Sequence, residues 1–322
     1  MTATRTLIIG TRGSRLAQIQ TDLVLRLLKH GAQSPPPAAP SSTWGLAFEV
    51  RTIRTLGDRT QAEGIPLAGL PRGVFVKDLE SALLAGSIDL AVHSLKDMTT
   101  SIDPRLTIAA VPQREDPRDV LVSRSRQALR ELPAGARIGT GSPRRAAQLR
   151  AVRADLRFES IRGNVDTRVH KVDNGEYAGA ILAAAGLARL GLAGRIAEYF
   201  DPQVCLPDPG QGALAVQVRA GDHELIDLLA PLNHAPTRAA VTAERALLRE
   251  LGGGCKVPIG ALGQVDHEDE LILHGLVASP DSSEIIRCSA KGPVKEPESL
   301  GAACAQLLRQ RGAGRLLGDA SV

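Results

Sequence analysis

Cys255 follows three consecutive glycines in the stretch LGGGCKVPIG, which spans residues 251–260. Glycine lacks a Cβ and adopts backbone conformations that other residues avoid, so three in a row place the thiol on an unshielded loop. A bulky group can approach such a thiol or be joined to it, which makes Cys255 a candidate nucleophile or attachment point. The structural alternative is a helix end, because residues 244–251 have a helical pattern and glycine commonly follows a helix C-terminus. That alternative explains one glycine better than three.

A second candidate site follows the buried strand that the sequence predicts over residues 88–93. Ser94, Lys96 and Asp97 come directly after this strand, and ligands of open α/β sheets bind at the C-terminal edge of the strands. A single carboxylate among cations stays ionised and can stabilise positive charge that forms on a substrate. The plainer alternative is that Asp97 caps a turn and that Lys96 is solvated.

Arginine greatly outnumbers lysine among the 39 basic residues. The planar guanidinium fork binds carboxylates and phosphates through paired hydrogen bonds. A GC-rich genome would also raise the arginine content everywhere, so the positions of the arginines decide the question. The candidate ligand-binding arginines lie near the ends of predicted elements, at Arg12, Arg144, Arg145, Arg162, Arg168 and Arg189. Because each charge-assisted hydrogen bond is worth about 1.5–3 kcal/mol, this set favours a substrate with several carboxylates or phosphates.

Two similar segments, IGTRGSRLAQ from Ile9 and IGTGSPRRAAQ from Ile138, position several of these residues. Each predicts a strand, a tight turn and the start of a helix, where free amides and the helix dipole favour an anion. Ser14 falls at the first helix start, and Arg144 and Arg145 fall at the second. The pair of segments predicts two α/β domains that each present an anion-binding helix N-terminus. Chance similarity between two ordinary turns is the alternative, since ten residues are too few to prove a duplication.

The remaining pattern divides into elements of ordinary length. Helices are predicted over residues 14–29, 75–84, 144–150, 184–189, 244–251 and 300–308, and strands over 6–10, 48–55, 88–93, 137–140, 158–162 and 177–183. A hairpin over 271–277 and 284–289, followed by the last helix, predicts a small C-terminal α+β domain. The proline-rich stretch 33–43 predicts an exposed loop or insertion, and the glycines and prolines of 57–73 predict a mobile loop.

Composition excludes several classes of protein. A chain of 322 residues predicts two or three domains, and 43% hydrophobic with 23% charged residues is typical of a globular protein. No apolar run is long enough to cross a membrane, and the N-terminal stretch lacks the apolar core of a signal peptide, so we expect a cytoplasmic protein without membrane contact. An aromatic content of 2% offers too few stacking surfaces for nucleic acid.

The cysteines Cys205, Cys255, Cys288 and Cys304 are far apart and form no CxxC pair. This spacing predicts neither a zinc site nor a disulfide framework. The sequence also has no GxxxxGK[ST] loop and no carboxylate-rich magnesium site, so a nucleotide is not the expected ligand and no metal is expected. Polycarboxylates fit the arginines better.

Several blocks, in order, carry a resemblance to a known family. They are IGTRGSRLAQIQ, GVFVKDLESALLAGSIDLAVHSLKD, REDPRDVLVSR, IGTGSPRRAAQLR, IRGNVDTRVHKVDNGEYAGAILAAAGLARLGL, PGQGALAVQVR and ERALLRELGGGCKVPIGAL. Over nearly its whole length the chain resembles the porphobilinogen deaminase, or hydroxymethylbilane synthase, family. The set is far more specific than any one block.

The resemblance implies an α/β fold of three domains. Two of them, residues 1–112 with 212–232 and residues 113–211, would resemble type II periplasmic binding-protein lobes around a cleft, and residues 233–322 would form the small α+β domain with the cysteine loop. It also implies that Cys255 holds a dipyrromethane cofactor through a thioether. Four porphobilinogen molecules would be joined head to tail with loss of ammonia, and water would release hydroxymethylbilane. We expect a monomer. Its product would be passed to uroporphyrinogen-III synthase.

Site roles follow from the resemblance residue by residue. Asp97 matches the catalytic aspartate, and Gln211 matches a glutamine of the cleft. The matched cofactor and substrate ligands are Arg12, Ser14, Ser94, Lys96, Arg144, Arg145, Arg162, Arg168 and Arg189. The chain departs from the family pattern at 69–73, where a lysine-bearing Gly-Gly-Lys-Gly run is usual, at Thr99, where proline is common, and in the longer insertion at 33–43. The first departure leaves the contacts of that loop open.

Two other classes of protein deserve comparison. A solute-binding protein would share the two-lobed fold and the arginines but would need neither Asp97 nor Cys255, and a periplasmic one would need an export signal. A cysteine-dependent hydrolase would need a histidine base for Cys255, and none of the 7 histidines lies in a recognisable partner motif. A thiol-linked, light-absorbing adduct would separate the synthase from both.

Overall fold

The computed structural model describes residues 6–33, 47–58, 73–252, 258–266, 269–279 and 281–318. The chain divides into two compact units. The first contains Met1–Arg114 and Ala213–Ala235, and the second contains Glu115–Gly212 and Pro236–Val322. The predicted domain boundaries at 112, 211 and 232 stay a prediction.

The strands are β1 Thr6–Arg12, β2 Ala47–Ile53, β3 Leu90–Ser94, β4 Leu106–Ala110, β5 Asp119–Ser123, β6 Arg137–Gly139, β7 Arg157–Glu159, β8 Gly179–Ala183, β9 Glu198–Tyr199, β10 Leu214–Arg219, β11 Ile259–Val265, β12 Glu270–Ala278 and β13 Ile285–Pro293. The α-helices are α1 Arg15–Gln33, α2 Lys77–Leu84, α3 Pro143–Arg150, α4 Val165–Asp173, α5 Ala184–Arg189, α6 His223–Leu229, α7 Ala235–Glu250, α8 Pro297–Leu308 and α9 Gly314–Leu317.

The first unit contains a five-stranded sheet in the order β2-β1-β3-β10-β4. β2, β1 and β3 are parallel, whereas β10 runs antiparallel to both of its neighbours. Apolar side chains cover both faces: Val24 and Leu28 of α1 pack with Ile9 on one, and Leu79 and Leu83 of α2 pack with Ile88 on the other. Burial on both faces explains the apolar runs LII in β1 and LAV in β3.

The second unit contains a sheet of the same design, in the order β7-β6-β8-β5-β9. Its β7, β6 and β8 are parallel, and β5 lies antiparallel between β8 and β9. β1 and β6, which the similar segments at Ile9 and Ile138 predicted to be equivalent, occupy the same place in the two sheets. The prediction of paired α/β domains is therefore confirmed.

The C-terminal α+β domain also belongs to the second unit. β11, β12 and β13 form an antiparallel sheet, and α7 and α8 pack on it through a core that includes Leu247, Leu273 and Leu308. The sequence predicted a hairpin here and missed β11. Gly260 and Gly263 explain the omission, because a strand with two glycines has a weak propensity signal.

Cys288 of β13 and Cys304 of α8 form a disulfide, so the expectation that the cysteines would stay unpaired is wrong for this pair. Both residues belong to the core between the sheet and α8, and the fold brings them together despite a sequence separation of 16 residues. Cys205 is buried as a free thiol. Within the described part of the chain, no three histidine, cysteine or acidic side chains are grouped as metal ligands.

Parts of three predictions lie outside the described residues. They are most of the proline-rich loop 33–43, most of the loop 57–73, and the cysteine loop with Cys255. Among the helices that the structure does describe, none combines the length and the apolar character needed to span a bilayer.

Candidate active site

Asp97 lies where two neighbouring strands of the first sheet end. β1 and β3 are adjacent and parallel, so the side chains that follow them meet at one edge of the sheet. Arg12 is the last residue of β1, and Asp97 closes the 3-10 turn Leu95–Asp97 directly after β3. The Nη1 atom of Arg12 lies 4.0 Å from Oδ2 of Asp97, whose side chain is 37% exposed. The edge therefore pairs a solvent-accessible carboxylate with a cation.

The orientation of Arg12 is set by two further residues. Its Nη2 atom donates to Oδ1 of Asp58 at 2.6 Å, and its Nε faces Oδ2 of Asp58 at 3.5 Å. The Phe75 ring lies under the guanidinium, with 3.9 Å between the ring centroid and Cζ. Asp58 and Phe75 together turn the remaining edge of the guanidinium, with Nη1, toward Asp97.

Asp58 is itself held in place by Thr55. The Thr55 hydroxyl donates to Oδ2 of Asp58 at 2.6 Å. Burial acts to raise the pKa of Asp58, but the hydrogen bonds from Arg12 and Thr55 outweigh it and lower the pKa below its ordinary value. Asp58 is thus a negative partner for Arg12 at neutral pH.

The two predicted serines have local partners. Ser14 precedes α1, and its Oγ accepts a hydrogen bond from the backbone N–H of Ala17 at 3.3 Å. The amide of Gln20 on α1 lies 2.9 Å from Oγ of Ser94. Lys96 is half-buried in the turn beside Asp97. The predicted residues therefore lie on β1 or β3, or in the turns that directly follow these strands, at the same edge of the sheet: Arg12, Ser14, Ser94, Lys96 and Asp97.

In the second unit, α3 begins at the equivalent place after β6. Ser142 is its N-cap and accepts from the backbone N–H of Arg145, while Pro143 occupies the first turn. The guanidinium groups of Arg144 and Arg145 are nearly buried, and each lies 2.7 Å from an oxygen of Asp119, which has no exposed surface. Asp119 opens β5, which pairs with β8 so that Asp119 faces Ala183. One buried carboxylate therefore neutralises one of the two adjacent guanidinium charges.

Gln211 also belongs to this cluster. Its Nε2 donates to Oδ1 of Asp119 at 2.8 Å and to the Pro117 carbonyl at 2.7 Å, while Arg145 donates to its Oε1 at 3.2 Å. Burial acts to raise the pKa of Asp119, but the charges of Arg144 and Arg145 prevail and hold the pKa far below its ordinary value. Asp119 is therefore ionised whenever the protein is folded near neutral pH.

Cys205 is the remaining member of the cluster. Its thiol lies 3.5 Å from Oδ2 of Asp119, and burial together with that carboxylate raises its pKa to about 12. A thiol with such a pKa is almost entirely protonated at neutral pH and is a poor nucleophile. Cys205 is therefore not a candidate for a reactive thiol.

The last three predicted arginines follow other strands of the second sheet. Arg189 ends α5, is half-buried, and donates from Nη2 to the Gly212 carbonyl at 2.7 Å. Burial lowers its pKa. Arg162 is exposed beyond β7, and Arg168 on α4 donates from Nε to the Gly163 carbonyl at 2.8 Å. Cys255 lies outside the described residues.

Sequence reasoning missed Asp58 and Asp119. A signal existed for Asp119, because it opens the stretch DVLVS, where an acidic residue introduces an otherwise apolar, fully buried strand. Charged residues are seldom fully buried unless they are paired, so this pattern indicated that Asp119 has a basic partner but not which residue it is. Asp58 had no comparable signal.

The two sheets and the residues at their edges define a class of protein. It is an α/β protein with two sheets of the same design, with arginines beyond the parallel strands of each sheet and an accessible carboxylate beyond those of the first. Such a set suits a small ligand that carries several anionic groups.

Two family models match most of the chain. The family model described as porphobilinogen deaminase, dipyromethane cofactor binding domain, matches residues 7–227, and the model of the C-terminal domain matches residues 238–310. The chain belongs to the porphobilinogen deaminase family. It is accordingly a transferase of tetrapyrrole biosynthesis with a dipyrromethane cofactor.

Relatives named porphobilinogen deaminase match nearly the full chain. The protein of Desulforudis audaxviator is 47% identical over 97% of this chain and 97% of its own length. That of Thermus thermophilus is 45% identical over 97% of this chain and 98% of its own length. Among solved structures, the methionine-binding protein MetQ is 13% identical with a TM-score of 0.42, over 70% of this chain and 89% of that one.

Proposed function

We propose that this chain condenses four porphobilinogen molecules head to tail, with loss of ammonia, and then releases hydroxymethylbilane by hydrolysis. The observation that carries the proposal is the accessible Asp97 carboxylate, 4.0 Å from the Arg12 guanidinium, at the end of two parallel strands. When bound, a dipyrromethane supplies the pyrrole position to which the first porphobilinogen is joined. The chain's own residues bind, orient and stabilise charge.

Asp97 is the proposed catalytic residue. Its carboxylate accepts hydrogen bonds from pyrrole N–H groups and stabilises the positive charge that develops on the substrate as ammonia leaves. A fixed negative charge beside a developing cation is effective because it needs no reorganisation during the reaction. Arg12, which Asp58 and Phe75 orient, lies beside Asp97 and binds a substrate carboxylate.

The arginines of the second unit fit a group with several carboxylates. The Nε atom of Arg189 and the Nε and Nη2 atoms of Arg144 are buried donors that have no hydrogen-bond partner within the described structure. A buried unpaired donor costs free energy, and an anionic ligand would remove that cost. We propose that the acetate and propionate side chains are bound by Arg144, Arg145, Arg162, Arg168, Arg189 and Gln211. Ser14, Ser94 and Lys96, beside Arg12 and Asp97, are further proposed ligands of the cofactor and substrate.

Cys255 is the proposed attachment point, through a thioether to the dipyrromethane. The test is the intact mass of the purified, denatured protein, compared with Cys255→Ser and with the matched control Cys205→Ala. We expect an added mass of two linked pyrrole units in the wild type and in the control, and no added mass in Cys255→Ser. A wild type that stays unmodified and consumes no porphobilinogen, even after incubation with porphobilinogen or preformed hydroxymethylbilane, would overturn the proposed function.

The location, oligomeric state, domain organisation and partner of the enzyme are part of the proposal. We propose a cytoplasmic monomer of three domains, bounded as the sequence predicts, that passes hydroxymethylbilane to uroporphyrinogen-III synthase. The product is a linear tetrapyrrole with a reactive hydroxymethyl group, so a ring-closing enzyme must consume it promptly. Size-exclusion chromatography with light scattering tests the monomer.

A further inference from the structure

Glu244 is a fully buried acidic residue that the proposed chemistry does not use. It lies on α7 with no exposed surface. Its Oε2 accepts the backbone N–H of Gly210 at 2.6 Å, and its Oε1 accepts the backbone N–H of Gly263 at 2.8 Å. A buried carboxylate is costly unless its oxygens are hydrogen-bonded. Two short bonds to two separate chain segments are therefore a specific arrangement.

The first segment is the turn that carries Gln211 and Gly212. Gln211 donates its backbone N–H to the Asp208 carbonyl at 2.9 Å, and Gly210 has a φ of 77°, which favours glycine. The side chain of Gln211 binds Asp119 and Arg145, and the carbonyl of Gly212 accepts from Arg189. This turn therefore supplies hydrogen-bond partners to two of the proposed binding arginines.

The other segment is β11, which begins shortly after Cys255 in the chain, whereas α7 ends shortly before it. Gly263 is pressed against α7, since a Cβ at this position would lie 2.8 Å from the Ala240 carbonyl oxygen. β11 also bonds to the turn segment directly, through the N–H of Ala261 and the carbonyl of Pro207 at 3.0 Å. The helix before Cys255, the strand after it and the Gln211 turn thus meet at the Glu244 carboxylate.

We propose that Glu244 is a positioning residue for the proposed reaction: its carboxylate fixes the turn that orients Arg145 and Arg189 relative to the two elements that flank Cys255. This inference rests on the proposed function of those arginines and of Cys255. Glutamate suits the role because both of its oxygens accept hydrogen bonds, whereas glutamine has one acceptor and one donor group. In Glu244→Gln, an NH2 group would face one of the two backbone N–H groups.

The experiment compares wild type, Glu244→Gln and the matched control Glu250→Gln. Glu250 lies on the same helix, but its side chain is 46% exposed. For each protein we would measure the fraction of chains with the two-pyrrole adduct, the circular dichroism spectrum, and kcat and KM for porphobilinogen per adduct-bearing chain. We expect Glu244→Gln to fold, to carry the adduct on fewer chains, and to raise KM about tenfold with kcat changed less than about threefold, because ground-state contacts to carboxylates are weakened.

A role in fold stability alone predicts a different result. It would reduce the folded fraction but leave kcat and KM per adduct-bearing chain at wild-type values, and that outcome would overturn the proposal. If Glu244→Gln does not fold, Glu244→Asp is measured instead, because it keeps the charge but is too short to reach both amides. Failure of both variants to fold would assign Glu244 a structural role and overturn the proposal as well.

Hydrogen exchange of the peptide that spans residues 207–212 separates this inference from the proposed function. Faster exchange in Glu244→Gln than in wild type and Glu250→Gln is expected whether or not a cofactor is present. If the wild type carries no adduct and consumes no porphobilinogen, the proposed function fails, and the exchange result still decides whether Glu244 positions the turn. Unchanged exchange would overturn that positioning.

Discussion

Asp119 and Arg144 form a buried ion pair with 2.7 Å between Oδ2 of the aspartate and Nη1 of the arginine. The arginine side chain is 4% exposed, and the aspartate side chain has no exposed surface. Removing one partner of a buried pair leaves the other charge uncompensated, which costs about 3–5 kcal/mol. We therefore expect Asp119→Asn to lower the free energy of unfolding by that amount, measured by urea denaturation at pH 7. Asp155→Asn removes the exposed partner of Arg153 and should leave the urea midpoint unchanged. Equal midpoints for Asp119→Asn and wild type would contradict the assigned role.

The same residue predicts a pH dependence of stability. The pKa of Asp119 is lower in the folded protein than the ordinary value of about 3.9 expected for the unfolded chain. Its contribution to stability is therefore fully present above that ordinary value and is lost as the pH falls below it toward the folded pKa. Below about pH 4, we expect the unfolding free energy of wild type to fall more steeply than that of Asp119→Asn, by up to about 1.4 kcal/mol per pH unit. Urea titrations at pH 3–6 measure the unfolding free energy of both proteins. If it falls equally steeply with pH in the two proteins, the prediction is contradicted.

The arrangement around Asp97 and α3 could be predicted from the sequence because its signals are local. A buried strand followed by Ser94, Lys96 and Asp97, and an Ile-Gly-Thr turn followed by Arg144, each fall within a few residues. The pairing of Asp119 with Arg144 could not be predicted in this way. It depends on β5 lying antiparallel beside β8, which places a residue at the start of one strand against a helix that follows another.

The missed disulfide has the same origin. Cys288 and Cys304 belong to a strand and a helix that face each other across the core of the C-terminal domain, and their spacing alone carries no such information. β11 was missed because the glycines that permit close packing on α7 also weaken the strand pattern. Contacts between distant segments, rather than local propensity, decided each of these features.

Asp58→Asn tests how Arg12 is oriented beside Asp97. The variant loses the charge that binds Nε and Nη2 of Arg12, so the Nη1 edge is no longer fixed toward Asp97. We expect kcat/KM for porphobilinogen to fall about tenfold, equivalent to about 1.4 kcal/mol of transition-state stabilisation. Asp103→Asn, which breaks the Asp103–Arg105 pair in the same unit, should retain the wild-type value. A wild-type kcat/KM in Asp58→Asn would show that Phe75 alone suffices to orient Arg12.

The burial of Cys205 predicts its reactivity. With no exposed surface and a pKa raised to about 12, the thiol has almost no thiolate at pH 8. Iodoacetamide should leave Cys205 of the native protein unmodified at pH 8 and should modify it fully once the protein is unfolded in urea. Peptide mass spectrometry of the two samples measures this. Rapid labelling of the native protein at Cys205 would contradict the described burial.

The disulfide makes a separate prediction about the C-terminal domain. It joins residues that are 16 positions apart, and a loop of this size restricts the unfolded chain enough to contribute about 3 kcal/mol to stability. We expect dithiothreitol to lower the urea midpoint of wild type and of Cys205→Ala by the same amount. It should not affect Cys288→Ala/Cys304→Ala, which has no disulfide to reduce.

In denatured but unreduced protein, iodoacetamide should modify Cys205 and spare Cys288 and Cys304, because a disulfide sulfur is not an alkylation target. Alkylation of Cys288 without prior reduction would show that the pair is not oxidised in the purified protein.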